Sequence, residues 1–230
     1  LRARVDAAGT LGALVFVAHP EDLGAWTIPV TGGDSYQVAV GPIHAGVIES
    51  GHFRFHVVGE RILAMDPRLF YKHRGLERAA EGASIDDALA YAGRACAACA
   101  VTNTVAYAQA VEHALGLWPD DDLRRGRTLL LQLERLYNHL HDIGAICAGV
   151  GFAPGSMAFA ALKERAQRIN VRVAGHRFLF GAVAVGRGVL DLDATTVEEA
   201  LSELRDLRID AAAGWRELEF SASVQARLDG

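Results

Sequence analysis

The sequence predicts an α+β fold, with a small N-terminal antiparallel β unit followed by a bundle of long helices. Two observations predict it. Before Asp66 the apolar residues recur with period two. After Ser84 they recur at spacings of three and four. The first period belongs to half-buried strands and the second to helices that bury one face. Asp66-Pro67 and Gly82 punctuate the change.

Residues 1–34 read as a lead-in, with one apolar run at Leu11 to Ala18 and breakers at His19-Pro20 and Thr31 to Asp34. Residues 35–80 form the expected β unit with its loops. Tyr36, Val38 and Val40 alternate with Ser35, Gln37 and Ala39, and Phe53, Phe55 and Val57 alternate with Arg54, His56 and Val58. Gly59-Glu60 then suits a tight hairpin into Arg61 to Met65, and Asp66-Pro67 is expected to end the sheet.

Residues 81–230 form the expected bundle. Ser84 with Asp87 suits a capping box. Ile85, Leu89, Ala92, Cys96, Cys99, Asn103, Ala106 and Ala110 predict one continuous helix face to about Leu117. Trp118-Pro119-Asp120 stops that helix and starts a second, carrying Leu129, Leu133, Leu136, Leu140, Ile143 and Cys147 inward. Ser156 is expected to open a third helix, and Thr196 with Glu199 a last one. Gly175 to Leu192 is glycine-rich and has no firm assignment.

Bulk properties exclude some functions. Hydrophobic residues make up 51% and charged residues 22%, ordinary values for a globular protein. A net charge of −5 gives no basic footprint for nucleic acid. Three cysteines do not make a disulfide framework and fit a reducing compartment. No apolar run is long enough to span a bilayer, and no signal peptide is evident. The chain starts at Leu1 without Met and ends at Gly230 in a helical pattern, so it is expected to be a piece of a longer gene product.

The sharpest local motif is Cys96-Ala97-Ala98-Cys99. Two thiols three residues apart can chelate a soft metal or exchange as a dithiol. They can equally be two small buried core residues. Two ligands do not complete a metal site. If the first two long helices are antiparallel, His139 or His141 would face the pair and a Cys2His2 zinc site would follow. Glu49-Ser50-Gly51-His52 offers a carboxylate for general acid–base work, or else a surface turn. His44 after Gly41-Pro42 suits a structural role when read alone. Arg74 and Glu77 in Tyr71-Lys72-His73-Arg74-Gly75-Leu76-Glu77 suit a surface ion pair.

Together these stretches resemble the large subunits of membrane-bound [NiFe] hydrogenases of the formate hydrogenlyase and hydrogenase-4 type, and the related D-type (49 kDa) subunit of NADH-quinone oxidoreductase. Arg94-x-Cys96-x-x-Cys99 matches the hydrogenase R-x-C-G-x-C, with Ala97 for the glycine and Asn103 for the following histidine. Asn103, Ala106-Tyr107 and Ala110-Val111-Glu112 look instead like the quinone-reducing D-type branch, although its quinone-binding tyrosine would fall at Ala97. Glu134-Arg135-Leu136-Tyr137-Asn138-His139-Leu140 resembles the E-R-L-x-N/S-H-L helix. Lys163-Glu164-Arg165, Gly175-His176-Arg177 and Gly186-Arg187-Gly188-Val189 resemble later segments. The likeness runs in order from about residue 36 to 192.

The resemblance implies a site. Cys96 and Cys99 would be metal ligands, and Arg94 and Asn103 cofactor-binding positions. Glu49, His44 and Arg74 would be catalytic, with Glu49 transferring protons and Arg74 near an iron–sulfur cluster in a small partner subunit. A nickel–iron centre would need a second cysteine pair, which only a longer chain could supply; none is expected in these 230 residues alone. The implied protein is an oxidoreductase subunit passing electrons between the small iron–sulfur subunit and protons/H2 or a quinone. It would act only in a complex with membrane subunits, on the cytoplasmic face of the plasma membrane. A structural subunit that has lost the metal is the alternative. Part of the Gly41–Glu77 surface is expected to be an apolar or arginine-lined contact surface.

Overall fold

A computed structural model describes residues 34–42, 50–96 and 98–228. Three strands come first: β1 (Tyr36–Val40), β2 (His52–Val58) and β3 (Arg61–Arg68). Helices follow: α1 (Leu76–Ala80), α2 (Ile85–Ala92), α3 (Ala100–Leu115), α4 (Asp121–Gly149), α5 (Ala153–Ala174), α6 (Ala194–Glu219) and α7 (Ala222–Leu228). The architecture is α+β, as the two periodicities predict. The chain falls into two compact units, Leu1–Ala83 and Ser84–Gly230.

In the first unit the strands form an antiparallel sheet in the order β1-β2-β3. Its register aligns three rows on one face: Tyr36–Val57–Ile62, Val38–Phe55–Met65 and Val40–Phe53–Pro67. A bulge beside Val57 resets the phase so that Ile62 and Met65 share that face. The opposite face carries His56 and Asp66. Both are almost fully buried, and they share a 2.7 Å hydrogen bond. Gly59 makes the hairpin turn at φ 57°, a region that favours glycine. β3 runs past Asp66-Pro67 to Arg68, one residue beyond its predicted end. An edge strand can carry proline because its outward N–H needs no partner.

In the second unit, Leu130, Leu133, Tyr137 and Leu140 of α4 pack with Phe159, Leu162, Ala166 and Ile169 of α5. Val101, Val105 and Ala108 of α3 and Leu207 of α6 close the same core. Asp120 caps α4 by accepting from the Leu123 amide at 2.8 Å. Two helix starts differ from expectation. The third helix opens at Ala153 with Pro154 in its first turn, where a missing N–H costs nothing. The helix expected to be last, α6, opens at Ala194, because Asp193 rather than Thr196 is the cap; its carboxylate accepts the Thr196 amide at 2.7 Å, and a further short helix, α7, follows it.

The main correction concerns the first long helix. It is two helices, α2 and α3, and the described residues between them, 93–96, 98 and 99, are non-helical. The apolar spacing continues across the break, so periodicity alone could not reveal it. The cause is a tertiary bond to α4 that starts a new helix at Ala100.

Candidate functional site: a braced dithiol loop

Glu134 on α4 is 3% exposed. Its carboxylate accepts the Val101 amide at 2.6 Å, the Thr102 amide at 2.9 Å and the Thr102 hydroxyl at 2.5 Å. These amides belong to the first turn of α3 and have no partner within that helix. A buried carboxylate from another helix therefore replaces the local cap that Cys99 does not provide.

One turn along α4, the Tyr137 hydroxyl donates to the Ala98 carbonyl at 2.9 Å. The Asn138 amide donates to the same oxygen at 2.6 Å and back to the Glu134 carbonyl at 3.0 Å. Glu134, Tyr137 and Asn138 stand at i, i+3 and i+4, the positions that share one helix face. Together they fix the backbone on both sides of Cys99. Cys99 itself sits at φ −130°, ψ 46°, outside the helix it precedes.

Cys96 and Cys99 are free thiols, both half-buried. They thus lie in the break at the start of α3 and not along a continuous helix. Burial, the neighbouring Cys96 thiol and the Glu134 charge push the Cys99 thiol up to about 12. The Asn103 amide, 3.8 Å from its sulfur, pulls the other way. Burial, and then the Glu134 charge, raises the Tyr137 phenol as well. At neutral pH the Cys99 thiol therefore keeps its proton.

The other predicted site residues stand as follows. Arg94 is exposed; it donates to the Ala90 carbonyl at 3.0 Å and lies 5.4 Å from the Phe180 ring centre. Arg74 is exposed and precedes Gly75, the cap of α1, in the other compact unit. His44 and Glu49 lie outside the described residues. The zinc reading does not hold: His141 Nδ1 lies 3.3 Å from the Lys163 ammonium, and His139 is exposed.

A second buried polar anchor went unread in the sequence. Arg127 of α4 and Glu112 of α3 form a bidentate pair, with Nη1 to Oε2 at 2.8 Å. Arg127 also donates to the Ala184 carbonyl at 2.9 Å, and Glu112 accepts the Gly186 amide at 2.6 Å. The pair ties the segment after α5 to α3 and α4. Arg127, above all, holds the Glu112 carboxyl below its usual range.

The donor set limits what the loop can hold. Two thiols fill two positions of a soft metal's coordination sphere. Among the described residues no group of three or more His, Cys, Asp or Glu converges. The residues described do not by themselves fit a nickel–iron centre.

Fold and site therefore define a helical bundle, preceded by a small sheet, that presents a braced dithiol. No protein-family model matches the chain. Individual proteins do. Hydrogenase-4 component G of Escherichia coli is 33% identical over 198 residues, 86% of this chain and 36% of that protein. Formate hydrogenlyase subunit 5 of the same organism is 33% identical over 172 residues, 73% of this chain and 30% of that protein. The D-type subunit of NADH-quinone oxidoreductase from a Sulfurovum species is 30% identical over 164 residues, 70% of this chain and 40% of that protein. The chain is a homologue of these proteins, as its ordered motifs predict, and spans about a third of their length. Its fold is shared with a chain from the membrane-bound sulfane sulfur reductase, an archaeal respiratory membrane complex. The TM-score there is 0.75 at 21% identity, over 86% of this chain and 53% of that one.

Proposed function

We propose that the chain serves within a subunit of a membrane-associated redox complex of the hydrogenase or NADH-quinone oxidoreductase type. Its part is to pass electrons between a neighbouring small iron–sulfur subunit and protons/H2 or a quinone. The observation that carries this reading is the Cys96–Cys99 loop, held at the Ala98 carbonyl and at the first amides of α3 by three side chains of α4. Core cysteines would not need such bracing, whereas a redox group gains from a site fixed on rigid elements. Cofactor chemistry would belong to the cofactor, and the protein would supply placement and electrostatics.

Among the described residues no helix is long and apolar enough to cross a membrane. In this reading the membrane link comes through partner subunits on the cytoplasmic face. Arg74 is exposed. It is assigned to the approach of the partner's cluster, and Glu49 and His44 to proton transfer. Ala97 and the incomplete donor set favour a second reading, a subunit of the same architecture that is structural in its complex.

Affinity purification of the full-length gene product from its native cells tests the proposal. Iron–sulfur and membrane subunits should co-purify in fixed ratio, and metal analysis then separates the two readings. Nickel at one per complex, with iron in excess of what the partner's clusters hold, marks a hydrogenase. Iron without nickel, with quinone reduction, marks the quinone branch. An assembled complex inactive with both substrates supports the structural reading, and a free monomer defeats both.

A further inference from the structure

The three cysteines fall into two kinds. Cys147 is fully buried in the core, whereas Cys96 and Cys99 are half-buried in the loop before α3. The Cys96 and Cys99 thiols are hydrogen-bonding neighbours. Only Ala97 and Ala98 separate them, so a bond between the sulfurs would close a ring through four residues. The backbone around Cys99 is already held: Tyr137 and Asn138 donate to the Ala98 carbonyl, and Glu134 accepts the Val101 and Thr102 amides. The polar group at the Cys99 sulfur is the side-chain NH2 of Asn103, 3.8 Å away. An amide NH2 donates hydrogen bonds and is no metal ligand. Among the described residues no third His, Cys, Asp or Glu joins the pair. The groups at this loop suit sulfur chemistry better than metal binding.

We infer that Cys96 and Cys99 work as a reversible dithiol–disulfide couple, the two-electron carrier of this chain. The inference rests on the proposed function, which supplies the electron source and the acceptor. Reduction breaks the S–S bond. It takes two electrons, one at a time, from the iron–sulfur cluster of the neighbouring subunit, and two protons, one to each sulfur. Reoxidation by a quinone forms the bond again. The two electrons and two protons leave the sulfurs and end on the quinone oxygens, giving a hydroquinone. Carrier and acceptor therefore exchange the same two electrons and two protons. The braces from α4 serve this step by keeping the reduced thiols in contact. Two reacting groups held together close in an intramolecular step and need little further ordering. Half-burial keeps the pair off the bulk solvent without sealing it in the core as Cys147 is.

The test uses the full-length protein purified without oxygen, together with its complex. It is equilibrated in dithiothreitol and glutathione buffers of stepped potential, quenched with acid, unfolded and alkylated with N-ethylmaleimide. Mass spectrometry then reads the label on each cysteine peptide. Cys96 and Cys99 should lose the label together. Their disulfide-to-dithiol ratio should rise tenfold for about every 30 mV, as a two-electron couple requires. Cys147 should stay labelled throughout, and Cys99→Ser should leave Cys96 labelled over the same range. Decylubiquinone added to the reduced complex should close the pair. Labels lost independently of one another, or a pair open at every potential, overturn the inference. So does a pair that stays reduced when the quinone is added. A metal at one per chain that is lost in both Cys96→Ser and Cys99→Ser assigns the sulfurs to that metal and also overturns it. The titration runs equally on the chain without partners. A couple that titrates there, in a protein that co-purifies with no iron–sulfur subunit, leaves the couple standing and defeats the functional reading instead.

Discussion

Replacing Glu134 by Gln removes the negative charge that starts α3 and keeps the side chain's size. The carboxylate accepts three bonds, two of them from amides with no helical partner. An amide in its place has one accepting oxygen, and its NH2 must face at least one donor. Losing one bond to a charged group costs about 1.5–3 kcal/mol, and a buried donor left without a partner costs about 1–3 kcal/mol. These overlap, so about 3 kcal/mol is expected. In a protein of this size 1 kcal/mol lowers Tm by about 2–4 °C, giving a fall of about 6–12 °C. Thermal unfolding measures the total, and amide hydrogen exchange localises it. The Val101 and Thr102 amides should exchange much faster in the variant, while core amides of α5 such as Ile169 change only with global stability. Glu198→Gln, on the exposed face of α6, is the control. A Glu134→Gln protein that melts within about 1 °C of wild type, with both amides still protected, would refute the claim that this carboxylate sets the helix break.

Three further outcomes are expected. The Cys99 thiol, at about 12 against an ordinary 9.0, keeps its proton longer in the folded state, so stability falls as pH rises from about 9 to 12. Cys99→Ser should flatten that fall, and Cys99 should alkylate slowly at pH 8. Arg127→Ala leaves the Glu112 carboxylate buried without its cation and should cost about 3–5 kcal/mol by denaturant unfolding, whereas Arg127→Met with Glu112→Leu should recover most of it. Gly155→Ala would put a methyl group 2.5 Å from the Phe152 ring and 2.9 Å from the Cys147 sulfur, and should lower stability by about 1–3 kcal/mol in the same assay.

Fold class was legible because each half of the chain keeps one period. The strands and the hairpin between β2 and β3 were legible from alternation and from the Gly59-Glu60 turn, whereas the bulge beside Val57 that sets their register was not. The break before α3 was not legible. Ile85, Leu89, Cys96, Cys99 and Asn103 keep helical spacing through a segment that is not helical, since what interrupts it lies 33 residues away at Glu134. The E-R-L-Y-N-H-L stretch was visible as a motif, but its job was not. A glutamate on the same face as Leu130, Leu133 and Tyr137 was the available signal, because a charge on an apolar face must find a partner. Glu112 and Arg127, 15 residues apart on different helices, gave no local pattern at all.

The central claim is that the braced dithiol is where this protein carries out its redox work. Turnover of the purified complex tests it most directly, with H2 evolution and quinone reduction assayed in parallel for wild type, Cys96→Ser, Cys99→Ser and the double variant. The account predicts that wild type turns over one of the two substrates. Each single variant should lose at least about tenfold in kcat, with the composition of the complex unchanged, and the double variant should be no worse than the weaker single, as groups acting as a unit behave. Full turnover by an assembled double variant would contradict it.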